Sequence, residues 1–168
     1  VPLQAGCTLM IGVHRFPVED TSKYYVVCKW GNRKGSAGGK IDDGWMNTTI
    51  RELGTYTVAV DTVSPRVTPL NRSQWKSGNI QFKIGDAETG VRDYKVMIDG
   101  RFELFSFSSK TARLSMKYPK RLKRGVPHKL EVIVTDYCGN YIIIPQVYMP
   151  KAPCVIFMNG IRVSIWDR

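Results

Sequence analysis

Histidine is the scarcest functional residue in this chain. There are two, His14 and His128, separated by more than a hundred positions. A catalytic zinc site needs about three protein ligands and an open water position, and no H-E-x-x-H or H-x-H occurs. His14 leads into Arg-Phe-Pro-Val and His128 into Lys-Leu-Glu-Val, so neither begins a zinc-peptidase motif. The four cysteines (Cys7, Cys28, Cys138, Cys154) include no C-x-x-C pair, which excludes a zinc ribbon. They read as lone buried thiols. A Cys7–Cys28 or Cys138–Cys154 bridge would require an oxidising compartment. No apolar run approaches the ~20 residues of a membrane-spanning helix; the longest, YIIIP at 141–145, is strand-sized. LQAGC at 3–7 has the outline of a lipoprotein cleavage box but no apolar segment before it. Val1 reads as a cut point, with a leader or larger partner domain upstream. Walker loops, G-x-S-x-G elbows and G-x-G-x-x-G turns are absent, and GNRKGSAGG (31–39) precedes no helix whose dipole would hold a phosphate.

Acids are also thin, and one long stretch has none. The formal charge is +11 with 25 Lys and Arg against 14 Asp and Glu, which favours anionic partners. From Leu104 to Leu130 every charged side chain is cationic. The densest part, KYPKRLKRG, places Lys117, Lys120, Arg121, Lys123 and Arg124 in a connection between strands, where binding residues often sit. These five are the candidate contact with peptidoglycan or another anionic surface polymer. The alternative is a solvated edge that blocks strand-to-strand aggregation. Nucleic acid is disfavoured: only Tyr118 interrupts the run, and no RNP, zinc-finger or helix-turn-helix signature appears.

What is abundant is strand-forming sequence. TLMIGVHRF, KYYVVCKW, TYTVAV, NIQFKIGD, YKVMID, RFELFSF, ARLSMK, HKLEVIVTD, YIIIPQVY, VIFM and IRVSIW are rich in Val, Ile, Tyr, Phe and Thr and recur every 8–12 residues. Helical periodicity is nearly missing, so the fold class is all-β. Asp99-Gly100 and Asn159-Gly160 sit between apolar runs and predict two-residue type I′ hairpins. Pro65 and Pro69 mark a boundary, since proline is expelled from central strands. About seven short strands follow up to Tyr148, which predicts an immunoglobulin-like β-sandwich over 61–148. Residues 1–60 form a smaller β unit, part of a truncated sandwich, and 149–168 a C-terminal β-hairpin.

The remaining acids fall at strand ends. Asp86 follows NIQFKI and precedes Gly90; Asp99 opens a hairpin turn; Asp136 closes VIVTD before Gly139-Asn140 restarts the chain. An aspartate there accepts backbone N–H bonds while glycine takes the left-handed position. Asp61, Asp86, Gly90, Asp99, Gly100, Asp136, Gly139 and Asn140 are therefore read as structural turn residues. The alternative is calcium, with Asp61, Asp86 and Asp136 gathering at one pole of the sandwich, although EF-hand spacing is absent. A glycosidase-like carboxylate pair would need two acids across one cleft. Neither a metal nor a cofactor is expected, and no catalytic residue is assigned.

Three segments carry a family resemblance: LGTYTVAVDTVSPRV (53–67), IGDAETGVRDYKVMIDGRF (84–102) and GVPHKLEVIVTDYCGN (125–140). Their order and spacing resemble bacterial immunoglobulin-like modules, most closely the region after the catalytic domain in secreted lysostaphin-like zinc metallopeptidases. GGKIDDGWMNTTIRELGTY (38–56) is similar to the same region. The matching positions are Gly54, Tyr56, Asp61, Pro65, Asp86, Gly90, Asp99, Gly100, His128, Asp136, Gly139 and Asn140. The resemblance implies an extracytoplasmic, non-catalytic accessory or spacer module, with a catalytic domain upstream in the same polypeptide and cell wall as the target. The cysteines and the tail after Met149 have no place in that pattern. The other reading is an adhesin or carbohydrate-binding β-sandwich, for which Trp30, Trp45, Trp75 and Trp166 are the sugar-facing candidates.

Overall fold

The computed structural model describes residues 1–117 and 122–151 in full, and the backbone of Cys154–Met158 and Ile161–Ile165. Among the described residues the chain is all-β apart from a 3₁₀ turn at Thr21–Lys23 and one turn of helix, α1 (Arg72–Trp75). Among the described residues no helix is long and apolar enough to cross a membrane. Two compact units share the chain. The first comprises residues 1–66, 85–94 and 134–142, the second 67–84, 95–133 and 143–168. The sequence suggests boundaries before residues 61 and 149; in the structure the turns carrying Asp86 and Asp136 group with the first 66 residues.

The first unit is built on six strands, β1 (Pro2–Gly12), β2 (Tyr24–Trp30), β3 (Arg33–Ser36), β4 (Lys40–Asp42), β5 (Trp45–Glu52) and β6 (Thr55–Val60). They form two three-stranded antiparallel sheets, β1-β5-β4 and β3-β2-β6. The run YYVVC makes β2 apolar on both faces. Tyr24 and Val26 bury against Met46 of β5, with Leu9, Ile11 and Val58 around them. Tyr25 and Val27 point the other way, onto Cys138 and Ala59. WGNRKGSAGG (30–39) contains a hairpin. Trp30 pairs with Arg33 across Gly31-Asn32, and the two-residue turn lets the polar RKGS segment lie as strand β3. A second hairpin turns at Asp43-Gly44, between Asp42 and Trp45, where both residues have positive φ, the type I′ requirement.

Eight strands follow: β7 (Arg66–Leu70), β8 (Asn79–Gly85), β9 (Val91–Ile98), β10 (Arg101–Phe102), β11 (Ser106–Ser108), β12 (Arg113–Lys117), β13 (His128–Asp136) and β14 (Tyr141–Tyr148). Their sheets run β11-β12-β8-β7 and β10-β9-β13-β14. Lettered from β7, that is D-E-B-A and C′-C-F-G, the strand partition of an immunoglobulin-like sandwich. Pro69 lies inside β7, an edge strand, where a missing N–H costs no ladder bond. Asp99 (φ 51°) and Gly100 (φ 75°) form the expected type I′ turn, with Arg101 opposite Ile98. In the second unit Ile80, Phe82, Leu114, Leu130 and Val132 are wholly buried. Phe82 packs against Trp75 and Phe105 with tilted rings, centroids 5.2 and 6.2 Å away. The last two strands, β15 (Cys154–Met158) and β16 (Ile161–Ile165), pair antiparallel with Met158 opposite Ile161. Their turn residues Asn159 and Gly160 lie outside the described residues, as do Tyr118, Lys120, Arg121 and Trp166.

Because Phe82 packs against two aromatic rings, Phe82→Ala should lower unfolding stability by about 3–5 kcal/mol. Urea denaturation checks this; a loss under about 1 kcal/mol would show a core that collapses around the gap.

Candidate functional site

Burying Met46 against β2, and Thr48 with its hydroxyl donating to the Ala37 carbonyl, forces the alternate residues Trp45, Asn47 and Thr49 to the other face. In an antiparallel sheet, residues directly opposite share a face. The register therefore lays out three rows: Asp42–Trp45–Gly12, Lys40–Asn47–Met10, and Thr49–Thr8. This face is open to solvent. Trp45 is 47% exposed and Met10 54%. A Cβ at Gly12 would meet the Trp45 ring at 3.6 Å and His14 Nε2 at 3.5 Å, so the indole and the imidazole both lie beside the bare glycine. The result is an open sheet face with one aromatic plate bordered by amide, hydroxyl, carboxylate and ammonium groups.

Trp30 is a second exposed plate, at 43%. Its Nε1–H donates to Glu52 at 3.1 Å, and a Cβ at Gly35 would overlap its ring at 2.9 Å. The ring thus rests on glycine and is steered by one hydrogen bond. Trp75 is 5% exposed and gives its Nε1–H to the Leu70 carbonyl at 2.8 Å; it is a core residue, not a sugar contact.

The acids at strand ends converge. Carboxylate oxygens of Asp61, Asp86 and Asp136 lie within 4.8 Å of one another, all in the first unit. Asp86 Oδ2 accepts the N–H groups of Glu88, Thr89 and Gly90 at 2.9–3.0 Å. Asp61 is 1% exposed and accepts from Val63 N at 3.1 Å and Thr89 Oγ1 at 2.7 Å. Asp136, with no exposure, accepts from Asn140 N and Nδ2, both at 2.8 Å. Asn140 Nδ2 also reaches the Asp61 carbonyl at 3.0 Å. Each oxygen of the two buried acids therefore has a donor, which offsets the cost of burying a carboxylate. These are the side chains that would face a cation, and each already closes a turn. Cys138 lies beside them. Burial, helped by the Asp61 and Asp136 charges, pushes its thiol up to about 11, so it is no nucleophile at neutral pH. Cys7, by contrast, is exposed, while Cys28 and Cys138 are buried, and all three are free thiols.

Glu88 is held differently. Tyr25 Oη donates to it at 2.6 Å and Lys34 Nζ at 3.0 Å. The Tyr25 bond first, then Lys34, holds the Glu88 carboxyl below the usual range. Burial and Glu88 in turn raise the Tyr25 phenol.

In the second unit, Asp99 does more than turn the hairpin. Its Oδ1 accepts Lys129 N–H at 2.9 Å and its Oδ2 meets His128 Nδ1 at 2.6 Å. His128 Nε2 donates to the Lys123 carbonyl at 2.7 Å. Thus His128, buried at the start of β13, ties the basic connection to the hairpin tip. Lys117 and Lys123 are exposed and Arg124 is half-buried. His14 is exposed in the first unit.

Residues 1–61 match the profile of the Zu5-like domain family. No curated protein matches the chain. Among solved structures, the apo form of an expansin from Clavibacter michiganensis is similar, with 10% identity over 78% of this chain and 75% of that one, at a TM-score of 0.36.

Sequence reasoning named Trp45 but missed the platform around it. The Asp43-Gly44 dipeptide before it was the available signal, because it fixes the hairpin and with it the register.

Two outcomes follow from these bonds. Asp86→Ala strips three N–H groups of their acceptor and should cost about 2 kcal/mol. That cost should be unchanged by added calcium; a calcium-dependent rise in the wild-type melting temperature would show a cation among the three acids. Glu88, with its folded pKa lowered, stabilises above the ordinary glutamate value of about 4.3, and that contribution is lost as pH falls through the folded value. The stability advantage of wild type over Glu88→Gln should therefore shrink below about pH 4; an advantage constant from pH 7 down to 2 would assign it to packing.

Proposed function

We propose that the chain is a non-catalytic β module of the extracytoplasmic space that binds cell-wall polysaccharide. The observation that carries this is the solvent-open face of β1-β5-β4, where Trp45 lies exposed among Asn47, Thr49, Asp42 and Lys40. The C–H face of a pyranose packs on an indole plate, and its hydroxyls need donors and acceptors alongside. A rigid aromatic offers that contact area at low entropic cost. The side chains come from regular strands, so the platform is preformed. Trp30 supplies a second plate.

Pull-down on insoluble cellulose, chitin and purified peptidoglycan tests the proposal. Retention on one of them should drop about tenfold or more in Trp45→Ala, a loss in the range of a buried aromatic contact, with unchanged circular dichroism. Retention on none, or undiminished retention of Trp45→Ala, overturns it.

A second reading is supported by the resemblance to the accessory region of lysostaphin-like peptidases and by the acid-free basic connection. In it, the module holds an upstream catalytic domain near an anionic wall polymer. Charge reversal at Lys120, Arg121, Lys123 and Arg124 should then weaken peptidoglycan retention, and added salt should do the same. Retention indifferent to both excludes the connection as the contact.

A further inference from the structure

The second unit holds a hollow of about 190 Å³ between α1 and the end of β14. Trp75 and Tyr148 are its buried residues, Val147 and Met149 its exposed apolar lining, and Arg72, Lys76 and Gln146 its polar groups. No acid lines it. Among the described residues neither Arg72 nor Lys76 pairs with a carboxylate.

The arrangement of the two cations is specific. Arg72 and Lys76 are four residues apart on one helical turn and its cap, so like charges face the same side, which is unfavourable without an anion nearby. The Arg72 guanidinium stands 5.8 Å over the Trp75 ring, and its Nη2 donates to Gln146 Oε1 at 2.5 Å. The ring contact and that one bond restrain the guanidinium and leave other N–H groups to donate. A planar fork so restrained matches a carboxylate in bidentate fashion, with Lys76 as a second, mobile charge. The volume is below the ~300 Å³ of a typical ligand pocket, so the hollow suits the end of a molecule better than a whole cofactor. The exposed Val147 and Met149 offer an apolar wall to whatever carries the charge.

We propose that this hollow is a binding site for a terminal carboxylate on a short apolar stem, the chemistry of a peptide chain end with a small last side chain. Arg72 takes the carboxylate, Lys76 neutralises it, and Val147 with Met149 covers the stem. The site lies wholly within the second unit and stands whether or not the tryptophan platform binds sugar.

Amide NMR titration of the full chain tests this with three probes: acetyl-dialanine, its carboxamide, and inorganic phosphate. Acetyl-dialanine should give saturable shifts at the Trp75 indole N–H and the Gln146 side-chain amide, with little effect from the other two. Arg72→Ala should weaken binding about tenfold or more, the value of a charge-assisted hydrogen bond. Arg72→Lys should recover part of it and Trp45→Ala should bind like wild type. Equal shifts with the carboxamide, equal binding of phosphate, or no saturable shift overturns the proposal. If Arg72→Ala loses the folded spectrum, Lys76→Ala replaces it, and its undiminished binding counts against the site.

Discussion

Strand β2 has no outer face, and the first unit follows from that. Tyr24 and Val26 demand cover on one side, Tyr25 and Val27 on the other, and all four are nearly inaccessible. A one-residue slip would exchange the two sets, sending each pair into a pocket shaped for the other. The sheet β1-β5-β4 supplies the first cover through Met46, and the segment bearing Cys138 supplies the second. Once Met46 and Thr48 are committed inward, the period of two sends Trp45, Asn47 and Thr49 outward. The exposed tryptophan is therefore a by-product of core register, which is why it rests on a rigid plane and not on a loop.

The acids obey a related constraint. A chain of short strands must turn often, and each turn leaves N–H groups without ladder partners. Asp86 gathers three of them on one oxygen, Asp136 binds Asn140 twice, and Asp61 joins the set through Thr89 and the Asn140 amide. Local hydrogen bonds hold these carboxylates in place.

Much of this was readable beforehand, and the gaps have physical causes. Alternation and β-branched content reveal strands such as HKLEVIVTD because one face is core. Asp99-Gly100 reveals its hairpin because few dipeptides tolerate two positive φ angles. Strand β3 was hidden, since RKGS has neither alternation nor β propensity and is held by its neighbour β2. Strand β4 was hidden too, being three residues long with one apolar side chain. The division into units was out of reach as well. Residues 85–94 and 134–142 join the first unit through contacts such as Tyr25–Glu88 and Lys23–Cys138, whose partners are separated by many strands in sequence. The same holds for the hollow beside α1: its two cations were visible as residues, but only folding brings Gln146 to Arg72.

The hairpin tips differ in a way that matters for engineering. At Gly31 an added Cβ would have no atom within 4 Å and the tip ends in solvent, whereas the Gly44 carbonyl accepts the Val13 N–H at 2.8 Å. Asp99 is bonded to the first two residues of β13. Foreign epitopes or reporter peptides grafted at the Gly31-Asn32 tip should leave the scaffold intact, whereas splitting Asp99 from Gly100 would unfasten the entrance to a strand some thirty positions downstream.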